Sequence, residues 1–190
     1  MNETAIFYPE NLKEWRNWLV KNHLSKQAVW LVFYSKNSKK PSITWSDAVD
    51  VALCFGWIDS KKIKIDSETA HQFFSKRKSK STWSKINKEK VQKLIDDGLM
   101  TQAGLDIIEV AKQNGSWNIL DEAEELIIPK DLEKAFSKYK GSKEYFLSLS
   151  KSVKKMMLTS LILAKRSDTR QKRINDIAEL AGQHKKPIPF

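Results

Sequence analysis

The stretch that decides the fold reads ALCFGWIDSKKIKID and runs from Ala52 to Asp66. Apolar residues at helical spacing lead up to Gly56, and from Trp57 onward apolar residues recur at every second position. Because glycine adopts the positive φ angle with which helices commonly end, the pattern predicts a helix that ends beside Gly56 and passes into a β-strand. We expect Trp57 at the corner, packed between the helix and the sheet.

The predicted strand carries a carboxylate among apolar residues. A period of two places Asp59 on the inward face with Trp57 and Ile63, while Lys62 points to the other side. An inward carboxylate needs a partner, because an unpaired buried charge is costly. The segment HQFFSKRK reads as the second strand of a hairpin, so its Arg77 is the expected partner of Asp59.

The remaining sequence predicts an α+β fold. Helical spacing marks residues 12–19, and the β-branched and aromatic run QAVWLVFYS indicates a buried strand. After residue 80 the pattern is helical throughout. We therefore expect an N-terminal α+β domain at 1–120, with a small antiparallel sheet and helices, followed by a C-terminal helical bundle at 130–190. The boundary between them lies within 118–130.

Residues that start and stop helices divide the chain further. Side-chain oxygens accept hydrogen bonds from the free N–H groups of a helix N-terminus, and glycine is typical just beyond a C-terminus. The expected N-caps are Thr44, Ser84 or Asn87, Thr101 and Ser167, and the expected stops are Gly98, Gly115 and Gly182. The acidic connector DEAEELIIPKD contains Pro129 and is expected to be a mobile linker.

The chain of 190 residues has a net charge of +11, which is concentrated in two segments. Residues 61–90 and 151–190 each carry +7, whereas residues 91–150 carry −4. Basic segments of this kind attract phosphates and acidic partners. The other interpretation is a lysine-rich surface that serves solubility.

Several classes of protein are disfavoured. No apolar run reaches the roughly 18 to 20 residues of a membrane span, and the N-terminus does not read as a secretory leader. Cys54 is the single cysteine, so we expect a cytoplasmic protein without an internal disulfide. His23, His71 and His184 are far apart, and no glycine-rich phosphate loop occurs. We therefore expect no metal and no cofactor.

The first basic segment contains the strongest candidate for a binding site, FFSKRKSKSTWSKIN. Its cations supply charge, its hydroxyls supply donors and Trp83 offers a ring for stacking, so the expected ligand is anionic, with nucleic acid among the candidates. A helix that begins at Ser84 or Asn87 would add free N–H groups. The alternative is a polar hairpin with Trp83 in the core. The candidate ligand-binding residues here are Trp57, Asp59, Lys62, Arg77, Ser81, Trp83, Ser84, Lys85 and Asn87.

The second basic segment, AKRSDTRQKRI, places Arg166, Arg170 and Arg173 around a helix joint. Guanidinium groups bind anions through paired hydrogen bonds, so these three arginines are also candidate ligand-binding residues. The same charges suit an acidic protein partner. Alternatively, the three arginines form ion pairs within the chain, with the acidic segment 121–133.

Asp59 supports a second class of function. A carboxylate held in a cleft beside cations can act as a general acid or base. The alternative to a non-enzymatic binding protein is therefore a small enzyme with Asp59 as its candidate catalytic residue, acting on a phosphorylated or nucleotide-like substrate. Arg77, Lys85 or Arg170 would hold that substrate. The competing interpretation of Asp59 is a structural ion pair or turn cap.

Four blocks of sequence carry a resemblance to a known family. They are ALCFGWIDSKK, FSKRKSKSTWSKINKEKVQKLIDDGLMTQAGL, AKQNGSW and LAKRSDTRQKRI, and they occur in this order between residues 52 and 174. In these blocks the chain resembles the YdeI/OmpD-associated, or bacteriocin-protection, family. The resemblance implies protection against bacteriocins or antimicrobial peptides and an association with outer-membrane porins. It implies no reaction, cofactor or catalytic residue, and it leaves the oligomeric state open.

Overall fold

The computed structural model describes residues 4–186, which divide into two compact units. The first unit comprises residues 4–81 and Ile86–Trp117. The second comprises Thr82–Lys85 and residues 118–186. Each unit has its own hydrophobic core, so each is described by itself.

The first unit combines a four-stranded sheet with helices. Its elements are β1 (Ile6–Phe7), α1 (Leu12–Asn22), β2 (Ala28–Tyr34), α2 (Trp45–Cys54), β3 (Trp57–Lys64), β4 (Thr69–Lys76), most of α3 (Lys85–Asp96) and α4 (Gln102–Gln113). The strands lie in the order β1-β2-β4-β3, and β4 pairs antiparallel with both β2 and β3. The two-residue β1 pairs parallel with β2, which adds a short parallel edge to the antiparallel sheet that was predicted. The α+β class is confirmed.

The corner between α2 and β3 is as predicted. Thr44 caps α2 by accepting a hydrogen bond from the backbone N–H of Asp47 at 3.2 Å. Gly56 follows the helix with a φ of 70°, in the left-handed region that favours glycine. Trp57 begins β3 with no exposed surface, which confirms its packed position at the corner.

Helix α4 is held against the end of α2 by one carbonyl group. The oxygen of Cys54 accepts hydrogen bonds from the hydroxyl and from the backbone N–H of Thr101, at 2.6 and 3.0 Å. Thr101 is also the N-cap of α4, as predicted. Gly104 lies so close to this carbonyl that a Cβ atom added to it would stand 2.3 Å from the Cys54 oxygen. The absence of a side chain at position 104 therefore sets the spacing of the two helices.

One face of the sheet packs against α1. The indole of Trp15 lies edge-on to the ring of Phe74, with 5.4 Å between centroids, and its Nε1 donates to the carbonyl of Ala48 in α2 at 3.0 Å. Both Trp15 and Phe74 are fully buried. The indole thus fills the core and satisfies its single donor at the same time.

A β-bulge in β3 overturns part of the predicted strand pattern. Asp59 pairs with Phe74 and Lys62 pairs with Gln72, so three steps along β3 match two steps along β4. One extra residue in a strand reverses the alternation beyond it. Lys62 therefore joins the face of Asp59, and Ile63 moves to the opposite face, contrary to the prediction. The period-two pattern could not show this, because a bulge depends on the partner strand.

The second unit is helical. It contains α5 (Asp121–Glu124), α6 (Lys130–Phe136), α7 (Ser142–Ser148), α8 (Lys151–Ile162) and α9 (Ser167–Gly182). Its core is built from Leu132, Phe146, Met157 and Leu161 with apolar residues of α9. The acidic connector that was expected to be a linker instead forms α5, and Ala123 of that helix is fully buried.

Two predicted helix boundaries are wrong by one residue, and the structure decides between two alternatives for a third. Helix α3 begins at Lys85, so Ser84 directly precedes the helix, as one alternative expected, and Asn87 lies inside it. Ser167 is the first residue of α9, and Arg166 occupies the cap position. Gly182 is the last residue of α9 rather than the residue beyond it. Gly98 and Gly115 do follow their helices with positive φ angles of 65° and 78°.

Candidate anion-binding site

The first unit contains a groove of about 400 Å³. We call it the lysine groove, because Lys36, Lys40 and Lys62 line it. Its other polar lining residues are Tyr34, Ser35, Ser38, Ser42, Thr44, Trp45 and Gln72. None of the described lining residues is acidic. The lining itself thus presents ammonium groups and hydroxyls, while the Asp59 carboxylate lies behind Trp45 and Gln72 and the charge of Glu68 acts on Lys40.

The bulge in β3 brings Lys62 to this groove. Beyond the bulge, Lys62 pairs with Gln72 of β4, and both line the cavity. A regular strand would have turned Lys62 to the opposite face of the sheet. The local irregularity therefore contributes one of the three cations.

Asp59 fixes one wall of the lysine groove. Its Oδ2 accepts hydrogen bonds from the indole Nε1 of Trp45 at 2.9 Å and from the amide of Gln72 at 3.0 Å. The same amide also donates to the carbonyl of Ser60 at 3.2 Å. Trp45 remains 54% exposed, so its ring is held in place without being covered. Asp59 is half-buried behind these two side chains.

Tyr34 is a further part of the lining. The Lys40 ammonium lies 4.7 Å from the centroid of the Tyr34 ring and donates to its hydroxyl at 3.2 Å. That hydrogen bond is the main cause of a raised pKa at Lys40. The backbone N–H of Tyr34 donates to the Ser42 hydroxyl at 3.0 Å. These contacts tie strand β2 to the loop that closes the groove.

A second, smaller cavity continues from the groove along the hairpin. It measures about 270 Å³ and shares Tyr34, Ser35 and Lys62 with the first. Its far end is closed by the hairpin turn, where Asp66 Oδ1 accepts from the backbone N–H groups of Glu68 and Thr69 at 2.8 and 2.7 Å. These hydrogen bonds lower the pKa of Asp66. The Asp66 carboxylate is therefore engaged with its own backbone, and Glu68 is a second acidic residue lining this cavity.

Trp57 and Arg77 line a different cavity, of about 310 Å³, together with residues of α4. Burial lowers the pKa of Arg77 to about 10, and the nearby charge of Asp59 opposes that effect. The hydrogen bonds to Asp59 described above come from Trp45 and Gln72, so the pairing of Asp59 with Arg77 stays a prediction. Trp57 is fully buried, so its ring offers no surface for stacking.

The segment 81–87 differs from the expected stacking and anion-binding surface. Trp83 is only 1% exposed, so the alternative of a core residue is the correct one. The backbone N–H of Lys85 donates to the Glu124 carboxylate at 3.2 Å, so that N–H at the start of α3 already has an internal anion. Ser81 and Ser84 are half-buried. Their assignment as ligand-binding residues, like that of Lys85 and Asn87, stays a prediction.

The arginines of the second unit make internal contacts. Arg170 forms two hydrogen bonds with the Asp131 carboxylate, at 2.8 and 3.0 Å, and a third with the carbonyl of Leu161 at 2.8 Å. Arg173 donates to the carbonyl of Ser160 at 2.6 Å. The two guanidinium groups thus bind carbonyls in the last turn of α8, where positive charge is favourable. The internal pairing with the acidic segment is observed for Arg170, and Arg166 is exposed.

Sequence reasoning missed most of the lysine groove. Tyr34, Lys36, Lys40 and Trp45 were treated as the end of a strand, a loop and a helix start. The signal was present in YSKNSKKPSITW, which interleaves lysines and hydroxyls between two aromatic residues. The candidate binding segment 73–87 has the same mixture of lysines, hydroxyls and aromatic residues.

Two further features of residues 4–186 bear on function. None of the described helices has the length and apolar character needed to cross a membrane. Within the same residues, no group of three or more His, Cys, Asp or Glu side chains is placed to hold a metal ion.

Comparison with protein families places the lysine groove within a recognised domain. Residues 7–107 match the family model described as Domain of unknown function (DUF8412). The chain belongs to the DUF8412 family. All the residues that line the groove fall within this DUF8412 match.

The second unit of the DUF8412 protein matches a second family. Residues 125–184 match the family model described as Bacteriocin-protection, YdeI or OmpD-Associated. The YdeI/OmpD-associated resemblance is thereby confirmed for this part of the chain, which includes Arg166, Arg170 and Arg173. The first two sequence blocks that suggested it lie instead within the DUF8412 match. Comparisons with curated proteins and with solved structures give no match.

Proposed function

We propose that this protein is a non-enzymatic binding protein that holds an anionic ligand in the lysine groove. The observation that carries the proposal is the convergence of three lysines and five hydroxyl-bearing residues on one cavity whose described lining has no acidic residue. Lysine ammonium groups and hydroxyls are the donors that bind phosphate-type anions. The ring of Trp45, held by Asp59, supplies a flat wall beside them.

The geometry favours a ligand with several negative charges. Lys36, Lys40 and Lys62 are all exposed, so each single contact with an anion is weak in water. The favourable free energies of three such contacts with one ligand add together, and each contact releases counterions that were bound to the ligand. We therefore expect binding to weaken steeply as the salt concentration rises, and a polyphosphate to bind better than orthophosphate.

Calorimetric titration with inorganic tripolyphosphate tests the proposal, because this probe has charge but no base or sugar. The variant Lys36→Glu/Lys40→Glu/Lys62→Glu removes the cations of the groove. The matched control Lys13→Glu/Lys26→Glu/Lys151→Glu makes the same change in net charge at exposed lysines elsewhere. We expect the groove variant to lose at least about tenfold in affinity and the control to stay within about threefold.

Two results would count against the proposal. Equal losses in the two triple variants would show that binding follows net charge alone. Failure of the wild-type protein to bind tripolyphosphate at low salt would remove the basis for an anion site.

A second candidate function is catalysis with Asp59 as acid or base on a phosphorylated or nucleotide-like substrate. It is supported by the position of Asp59 directly behind Trp45 and Gln72, which line the groove. Phosphate release from ATP and from p-nitrophenyl phosphate tests it. Turnover by the wild type that Asp59→Asn abolishes, with tripolyphosphate binding retained, would establish this alternative over simple binding.

In the cell, we propose that the protein acts in the cytoplasm in protection against bacteriocins or antimicrobial peptides. The name of the family matched by the second unit supports the role, and the buried free thiol of Cys54 suits a reducing compartment. The anionic ligand would be a phosphorylated molecule or an acidic protein partner. Survival of bacteriocin-treated cells that express the wild type, the groove variant or the control variant tests this role. Equal protection by all three proteins would show that the protective role does not depend on the lysine groove.

A further inference from the structure

The face of the sheet opposite the lysine groove carries a group of aromatic rings. Trp30 of β2 pairs with Phe73 of β4, and His71 lies two residues before Phe73 on the same face. The bulge places Ile63 opposite His71 and brings the Lys61 ammonium over the rings. We call these five residues the aromatic face.

The rings of this face lie within contact distance of one another. The centroids of Trp30 and Phe73 are 4.9 Å apart, in an edge-to-face arrangement, and those of Trp30 and His71 are 6.5 Å apart. The Lys61 ammonium lies 5.2 Å from the Trp30 centroid and 5.6 Å from the Phe73 centroid. Three strands thus contribute to one continuous patch in which a cation stands beside π surfaces.

Solvent reaches this patch. Trp30, His71 and Phe73 are half-buried although they are on a sheet, and Ile63 at its edge is 39% exposed. Ile6, whose partner in the sheet is Trp30, is 63% exposed. Large rings that keep water contact on a sheet face are typical of a binding surface rather than of a core.

The charge of the aromatic face favours an anionic partner. Asp59 is the sole acidic residue of the four described strands, and it lies on the opposite face with Lys62 and Gln72. The aromatic face therefore combines rings with lysine and holds no carboxylate in its strands. Such a surface repels no anion and attracts a chain that carries both phosphates and flat bases.

We propose that the aromatic face binds single-stranded nucleic acid by stacking unpaired bases on Trp30 and Phe73, with Lys61 at the phosphates. Unpaired bases expose the flat surfaces that duplexes hide, so the rings select single strands. The Lys61 side chain is exposed and exchanges its ring contact for a phosphate on binding. This site is separate from the lysine groove and does not depend on it.

The experiment compares a fluorescent 12-nucleotide oligothymidylate with an abasic 12-mer, which has the same phosphates and no bases. Anisotropy titrations at one fixed salt concentration give the base preference as the ratio of the two affinities. The wild type should prefer the base-containing strand by about tenfold or more. An equal affinity for the two probes, or for a 12-base-pair duplex, overturns the proposal.

Two ring variants and one matched control locate the site. Trp30→Leu and Phe73→Leu keep apolar bulk and should each remove most of the base preference. Trp117→Leu is the control, because Trp117 also lies beside two lysines, Lys88 at 5.4 Å and Lys112 at 5.7 Å, but is outside the sheet. Loss of the preference in the control but not in the ring variants overturns the assignment.

Two further measurements keep the outcomes separate. Unchanged circular dichroism spectra and thermal unfolding show that the ring variants are folded. The groove variant Lys36→Glu/Lys40→Glu/Lys62→Glu should keep the base preference, so the two sites succeed or fail independently. If polyglutamate displaces the oligothymidylate as well as unlabelled oligothymidylate does, the face is a site for acidic peptides and the proposal is wrong.

Discussion

Replacing Gly104 with alanine should destabilise the first unit, although alanine is the better helix former. Helix propensity alone favours alanine by about 1 kcal/mol. In the structure, however, the added Cβ would stand 2.3 Å from the carbonyl oxygen of Cys54, and real Cβ atoms essentially never approach closer than 3.0 Å. Helices α2 and α4 would have to separate by roughly 0.7 Å or more, the difference between these two distances.

The separation has a calculable cost. It would lengthen both hydrogen bonds from Thr101 to the Cys54 carbonyl, which measure 2.6 and 3.0 Å, and each contributes about 1 kcal/mol. Overpacking adds about 1–3 kcal/mol. After the gain in helix propensity, we expect Gly104→Ala to lower the free energy of unfolding by about 2–4 kcal/mol.

Urea unfolding followed by tryptophan fluorescence measures this change in the right unit, because six of the seven tryptophans lie in the first unit. Gly98→Ala is the control: its Cβ would meet nothing within 4 Å, and its positive φ costs about 1 kcal/mol. A Gly104→Ala protein as stable as the wild type, or more stable than Gly98→Ala, would refute the steric reasoning.

Three other predictions concern the second unit, the buried thiol and the groove wall. Burial alone would raise the pKa of Asp131, but the hydrogen bond and charge of Arg170 hold this pKa below its usual value. The pair therefore stabilises the folded protein at a pH above the ordinary pKa of an aspartate, about 4. That stabilisation is lost as the pH falls through the lower pKa of the folded state. Arg170→Gln should therefore cost about 1 kcal/mol at pH 7, a small figure because the pair is partly exposed, and the cost should shrink in thermal denaturation near pH 2–3. Cys54 is only 1% exposed, and burial raises the pKa of its thiol. A thiol reagent should therefore label Cys54 only in denaturant. Rapid labelling of the native protein would contradict the packing. Trp45→Phe keeps a ring but loses the bond to Asp59, so tripolyphosphate affinity should fall about two- to tenfold, whereas unchanged calorimetry would show that the fixed wall is irrelevant.

The parts of the fold that local chemistry decides were predictable from the sequence. Thr44 and Thr101 cap helices because a hydroxyl just before a helix can reach its free N–H groups. Gly56 turns the chain because its φ of 70° strains other residues. Trp57 at the corner followed from these two signals. Each of these features depends on a few neighbouring residues.

The features that depend on distant partners were not predictable. The bulge at Asp59 and Lys62 is a property of the register between β3 and β4, and a period read from one strand cannot contain it. Tyr34 and Trp45 line the same groove only because strand pairing and the Asp59 hydrogen bond bring them into place. The prediction that Trp83 stacks on a ligand was based on its polar neighbours in the sequence, whereas its burial depends on tertiary packing.

The central claim is that polyanions bind in the lysine groove, and amide NMR tests it most directly. Tripolyphosphate would be titrated into the isotope-labelled protein, and the shift of each backbone amide recorded. We expect saturable shifts concentrated in residues 34–45 and at Lys62 and Gln72, with the amides around Arg170 unchanged. Shifts centred on the second unit, or spread evenly over all exposed lysines, would contradict it.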